Sequence, residues 1–305
     1  MTSLYPKTRL TSSVSSKLLC VLAISFGLSS FVVVSGCRTF GSKEIVRPAK
    51  HSLRADNLLI LSNIRLKKTD PIIQDLFKLR QDVMLSLNLG EQKREVVVYI
   101  FDGEEEFRRY FGSVYPDLPH RRAYFIGSRS ELAVYTYWGS KIQEDLRHEY
   151  THGILHSALA SVPLWLDEGL AEYFEVNGPE NGRIHPQNAY HLKESMTQQW
   201  KPNLLRLEKI SEFANLSHQD YEESWGWIHF LLHHSDKTRG ILISYLDKLK
   251  SKSNITPISQ RLAQTLPDYE EQFLSHIATL NLAADPVNTA GFQQMRSHQR
   301  EFQKE

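Results

Sequence analysis

The sequence predicts an α+β protein, with a small sheet built first and a helical second half. Two observations carry that expectation. Four short apolar runs, rich in β-branched and aromatic residues, lie at 57–62, 95–101, 123–126 and 131–138, all before Gly139. Beyond it the apolar residues recur at helical spacing, between good caps and good stops. The chain has 305 residues, 41% of them hydrophobic, enough for a packed core in one large domain or two small ones. The organisation expected is one domain over 56–284, divided into a sheet part (56–139) and a helical part (140–284).

The N-terminus does not belong to that body. Lys7, Arg9 and Lys17 precede an apolar run over 18–34, which ends in Val34-Ser35-Gly36-Cys37. A basic stretch followed by an apolar one is a targeting signal. The four closing residues resemble a bacterial lipobox. That resemblance implies a signal peptide over 1–36, cleavage before Cys37, and lipid on that cysteine. The chain would then be anchored to a membrane of the bacterial cell envelope. An uncleaved anchor and an ordinary secretory signal are the alternative readings. Residues 38–55 are basic and polar and read, with Cys37, as a tether over 37–55. The polar stretch 285–305 reads as a tail.

Composition excludes some classes. A net charge of +1 and a pI near 7.8 point to no nucleic-acid partner. The two cysteines, Cys20 and Cys37, both precede the body, which leaves it without a disulfide or a thiolate metal site.

The body reads in order as follows. The strand over 57–62 is followed by a helix that Asp70-Pro71 opens and that ends near Gly90. Ile72, Leu76, Leu79, Val83 and Leu87 share one of its faces. The run 95–101 is apolar enough to be a central strand. A short helix over 104–111 follows, then strands at 123–126 and 131–138, separated by a loop of hairpin length. Ser140 is placed to cap the next helix, with Gln143 as its capping-box partner. Glu144 and Asp145 suit the helix start, and Pro163 stops the run near Ala160. A short second helix lies between Pro163 and Asn177-Gly178. Residues 179–188 read as a polar loop. Helices are expected over 220–232, 238–249 and 267–280.

The chemistry lies at 139–175. His148, Glu149 and His152 have H-E-x-x-H spacing. Helix residues four apart share a face, so the two imidazoles project side by side and can hold one Zn²⁺. Glu149 is one step round from the pair, where a general base belongs. A catalytic zinc needs a third protein ligand and an open position. Glu168, folded back on the second helix, is the candidate. Glu172, one turn further, is placed to accept the outward N–H of a ligand histidine and fix its tautomer. His156 continues the 148, 152 row but lies too far along the axis to be a ligand. It is expected to support the ligands or to pack.

The segment His148-Glu149-Tyr150-Thr151-His152, followed by Pro163-Leu164-Trp165-Leu166-Asp167-Glu168-Gly169-Leu170-Ala171-Glu172-Tyr173, resembles the gluzincin zinc metallopeptidases. Within them it is most similar to the small bacterial peptidase-MA-like domains. The resemblance covers about 40 residues and implies His148, His152 and Glu168 as ligands and Glu149 as base. A departure is the gap of 15 residues between His152 and Glu168, shorter than in the larger members. The resemblance further implies a strand edge that pairs with substrate backbone, which would fall on 133–137. That strand reads equally well as purely structural. It also implies an oxyanion-stabilising group, for which Tyr221 is the candidate by position; the alternative is a tyrosine packing on Trp225. His229, His233 and His234 are expected on the surface or in the core rather than on the metal.

The expectation is a membrane-tethered zinc peptidase acting on protein or peptide. A zinc-binding envelope lipoprotein without turnover, and a zinc amidohydrolase acting on a non-peptide cell-wall substrate, are the rival readings.

Overall fold

A computed structural model describes residues 45–178, 182–251 and 255–281. The expected signal peptide, Cys37, the start of the tether and the polar tail lie outside them. The described residues from Val46 onward form one compact unit, with the α+β layout expected: a small mixed sheet and then helices.

The sheet contains β1 (His51–Ala55), β2 (Leu58–Ser62), β3 (Val96–Phe101), β4 (Ala123–Gly127) and β5 (Leu132–Tyr137), in the order β1-β2-β3-β5-β4. β3 is central and all six of its residues are buried. It runs parallel to β2 and β5, while the outer strands β1 and β4 run antiparallel to their neighbours. Alternation divides β3 between two faces. Val96, Val98 and Ile100 join the core under the helices, while Val97, Tyr99 and Phe101 join an aromatic cluster with Phe107, Tyr110 and Phe111 of α2 (Glu104–Val114).

Two expectations are corrected here. The stretch read as a tether contains β1. Ahead of it, Arg47 donates to the Tyr99 hydroxyl at 3.0 Å and to Glu131 at 2.8 Å, which ties the segment to the sheet. The polar residues of β1 suit an edge strand, which presents one side to solvent and so lacks the apolar signature of an inner one. The second correction concerns β5. It is paired on both sides, with β3 and with β4, so its backbone is not free to receive a peptide; the edge is β4. The hairpin that encloses β5 was legible, but which strand closes the sheet is a matter of topology.

The helices are α1 (Pro71–Ser86), α2, α3 (Ile142–Ala158), α4 (Leu164–Glu175), α5 (Pro186–Thr197), α6 (Leu204–Leu207), α7 (His218–His233), α8 (Asp236–Lys250), α9 (Ile258–Thr265) and α10 (Tyr269–Thr279). On α1 the innermost residue of the first turn is Ile73. α5 begins inside the expected loop, with His185 as its N-cap accepting from the Asn188 N–H. α7 starts two residues ahead of the expected Asp220, where Ser217 and Asp220 form a capping box. α3 is not capped as expected: Lys141 is its N-cap residue and no side chain caps it. Residues 139–141 are still completing the turn out of β5, so Ser140 lies ahead of the helix. Glu144 and Asp145 do occupy the first turn, and both pair with Arg122.

Two features seat α3. Gly153 lies on β3, where a Cβ would meet Val96 at 2.7 Å. On another face, the buried Arg147 donates from Nε to the Phe174 and Glu175 carbonyls, at 3.1 and 2.9 Å, and from Nη1 to Asp75 of α1 at 2.8 Å. These carbonyls are the unsatisfied acceptors at the C-terminal end of α4. A cation at that end is favourable, and a buried guanidinium without such partners would be costly. Arg147 therefore sets where α4 lies against α3. Among the described residues no helix is long and apolar enough to cross a membrane.

Candidate metal centre

α3 runs under the sheet and α4 folds back against it. The pairing brings together one nitrogen each from His148 and His152 and one oxygen from Glu168, all within 4.8 Å of one another. Glu168 Oε2 lies 3.7 Å from His148 Nε2 and 3.9 Å from His152 Nε2. Tetrahedral zinc ligands, at about 2.1 Å from the metal, sit about 3.4 Å apart. The Glu168 oxygen is thus a few tenths of an ångström from the spacing one ion would impose between it and each ring nitrogen. Glu168 Oε2 is buried and has no hydrogen-bond partner. An orphaned buried carboxylate oxygen is costly, and a cation between it and the two rings would remove that cost. The donor set, two imidazoles and a carboxylate, suits zinc.

Each ring is held from behind by a carboxylate. His148 Nδ1 lies 2.9 Å from Glu175 Oε2 and hydrogen-bonds to it. His152 Nδ1 lies 3.0 Å from Asp167 Oδ1, with the ring turned off the hydrogen-bond line. Asp167 also holds His156 Nε2 at 2.8 Å, so His156 supports the ligands at one remove. Phe125 of β4 stacks on the His152 ring, with centroids 5.9 Å apart. The role expected of Glu172 belongs to Glu175. Glu172 instead accepts from the Asn188 amide at 2.9 Å. Glu168, Glu172 and Glu175 share one face of α4, and spacing alone does not separate the last two. The docking rotation fixed through Arg147 brings Glu175 to the ring. His185 adds a further imidazole 3.5 Å from Glu175.

The electrostatics follow from this arrangement. Burial disfavours charge on the His148 and His152 rings, yet the surrounding carboxylates outweigh it. His148 is raised well above its usual value by Glu168 and Glu175, and His152 is lifted to about 9 by Asp167 and Glu168. The site is built to hold positive charge. Glu149 is buried, and burial, with Glu168 adding to it, pushes its carboxyl above the ordinary carboxylate range against the pull of both histidines.

Tyr221, in the first turns of α7, is half-buried. The Arg121 guanidinium acts on its hydroxyl, as do the charges of Glu168 and His148. It therefore borders the centre. Arg121 itself also senses Glu149 and Glu168. The sequence carried no signal for it, because it comes from the loop before β4. Asp167 and Glu175 had a weak signal, as acidic residues beside and beyond Glu168 on the same short helix. α7 is held close to α4 at Gly169, where a Cβ would meet the Ser224 carbonyl oxygen at 2.6 Å. The histidines toward the end of α7 stay off the centre: His229 is buried, His234 half-buried and His233 exposed. His229 bonds to His276 at 2.8 Å, His233 to the Tyr173 hydroxyl at 2.7 Å and His234 to Gln272 at 2.8 Å.

Fold and site together define an α+β protein with a buried His-His-Glu centre able to hold a metal. Residues 143–256 match the model of a family described as "Protein of unknown function (DUF1570)". The matched segment covers α3 from its second residue, α4 and α7, hence the three candidate ligands, Glu149 and the carboxylates behind the rings, and leaves out the sheet with Phe125 and the Arg121 loop. A search of the curated proteins finds no match.

Proposed function

We propose that the protein is a zinc-dependent metallopeptidase of gluzincin type, tethered to a membrane of the cell envelope by lipid on Cys37. The observation that carries this reading is the convergence of His148, His152 and the unpartnered Glu168 oxygen, with Glu149 on the next position of the same helix.

His148, His152 and Glu168 would hold the ion. Zinc so held supplies Lewis-acid polarisation of the scissile carbonyl and of the attacking water. Glu149 takes the proton from that water and passes it to the leaving amine. Its raised proton affinity suits both halves of the transfer, because the carboxyl is more basic than an exposed one. The Tyr221 hydroxyl donates to the developing oxyanion, with the Arg121 guanidinium beside it to orient the phenol. Glu175 and Asp167 keep the two rings facing the centre. An extended polypeptide lies along β4, the outer strand, whose Phe125 touches His152. Main-chain pairing of that kind favours protein or peptide over small molecules.

The test is metal content and casein cleavage of the purified chain. The wild type is expected to carry zinc and cleave. His148→Ala is expected to lose the metal. Glu149→Gln should keep the metal and lose about 10²–10⁴-fold in rate, the usual share of general acid–base catalysis. A Glu149→Gln variant that cleaves at the wild-type rate overturns the assignment.

A further inference from the structure

A second group of metal-ligating side chains lies away from this centre. It joins α5 to the start of α7. His191 comes from α5, and His218 and Glu222 come from α7, four residues apart and so on one face. One nitrogen from each histidine and one oxygen of Glu222 lie within 4.8 Å of one another. Glu222 Oε1 is 2.6 Å from His191 Nδ1 and 3.4 Å from His218 Nε2. We propose that His191, His218 and Glu222 form a second zinc-binding site, which clamps the first turn of α7 to α5.

Three features carry the assignment. The Glu222 side chain is 5% exposed, so its carboxylate is almost fully withdrawn from water. Among the described residues both of its ion-pair partners are imidazoles, with no lysine or arginine to balance it. A buried carboxylate in that position gains from a cation. The spacing also fits. Donors around a tetrahedral ion at about 2.1 Å lie about 3.4 Å apart, which the His218 nitrogen already matches. His191 needs to withdraw by a fraction of an ångström, exchanging a hydrogen bond for a metal bond. Finally, the His218 side chain is 83% exposed, so it is free to adjust, and the remaining coordination positions open to water. Two imidazoles and one carboxylate select zinc and its neighbours among divalent cations over magnesium or calcium.

The clamp has a mechanical consequence. His218 is the first residue of α7 and Tyr221 is next to Glu222 along the same turn. An ion on this face orders the turn that presents Tyr221 to Arg121. Only that consequence rests on the peptidase reading; the site itself does not.

The experiment is zinc titration of the full chain in detergent after chelator treatment, with stoichiometry and melting temperature as readouts. The wild type is expected to bind about two equivalents, one at each group of three ligands. His148→Ala/His152→Ala should keep the equivalent held by α5 and α7 and still melt higher when zinc is added. His218→Gln and His191→Gln should each lose that equivalent and the associated rise, with the other equivalent intact. His218→Gln changes an exposed side chain, so its loss of uptake cannot be assigned to unfolding; circular dichroism confirms this. Zinc uptake unchanged by both glutamine variants overturns the proposal. So does a folded His148→Ala/His152→Ala chain that takes up no zinc.

Discussion

His148 and His152 on α3 and His229 and His276 on α7 and α10 are all largely withdrawn from water, yet burial has opposite outcomes for them. Around the first pair stand Glu168, Glu175 and Asp167, and both rings are held toward the charged form. Around the second pair stand other histidines and the rings of Tyr173, Trp225 and Phe230, and among the described residues no carboxylate pairs with either ring. Burial and these neighbours push His229 down to about 2 and His276 to about 4, so both rings stay neutral. Residue type is the same in the two regions. Carboxylates make the first a place for a cation, and their absence makes the second a packed core.

The comparison is broken most strongly by removing the carboxylate behind a ring. Glu175→Gln is expected to weaken zinc binding about 10–100-fold, the usual cost of losing such a support. Glu172→Gln, which removes the neighbour one turn away, should change it far less. Competition against a chelator of known affinity measures both; equal losses would return Glu172 to the role the sequence suggested.

The two regions meet where α4 packs on α7. Gly169→Ala puts a Cβ against the Ser224 backbone, which cannot give way as a flexible side chain would. Overpacking of this kind costs about 1–3 kcal/mol and should also shift Glu168, the adjacent residue. Thermal unfolding and zinc affinity are expected to fall together. A loss of stability with unchanged affinity would show that the two helices tolerate separation.

The smallest effect sharpens the contrast by acid. His229 and His276 bind protons less readily folded than unfolded, where the ordinary value is 6.5. The unfolded chain therefore takes up more protons as pH falls below 6.5, and the stability contributed by the neutral rings is lost on the way down toward about 4 and about 2. Between pH 7.5 and 6 the loss is about 1 kcal/mol per histidine. His229→Gln should remove its share of this loss, so the melting-temperature difference between wild type and variant changes from pH 7.5 to 6, a comparison that cancels the opposite contribution of His148 and His152. A difference that stays constant over that interval would contradict the neutral assignment of His229.

Helix periodicity by itself determined that His148 and His152 share a face, that Glu149 stands beside them, and that a second short helix carries Glu168. These are relations over one or two turns, set by backbone geometry, and they were legible residue by residue. The unbroken apolar run over 95–101 likewise gave away a central β3. Only the tertiary structure decided that Glu175 rather than Glu172 backs His148, that β4 rather than β5 closes the sheet, and that Arg121 and the His191, His218, Glu222 group exist as neighbours. Each depends on how whole elements rotate and dock. That rotation is set by long-range contacts: Arg147 on the carbonyls ending α4, Gly169 against Ser224, and Gly153 on Val96. Spacing along the chain carries no information about such angles.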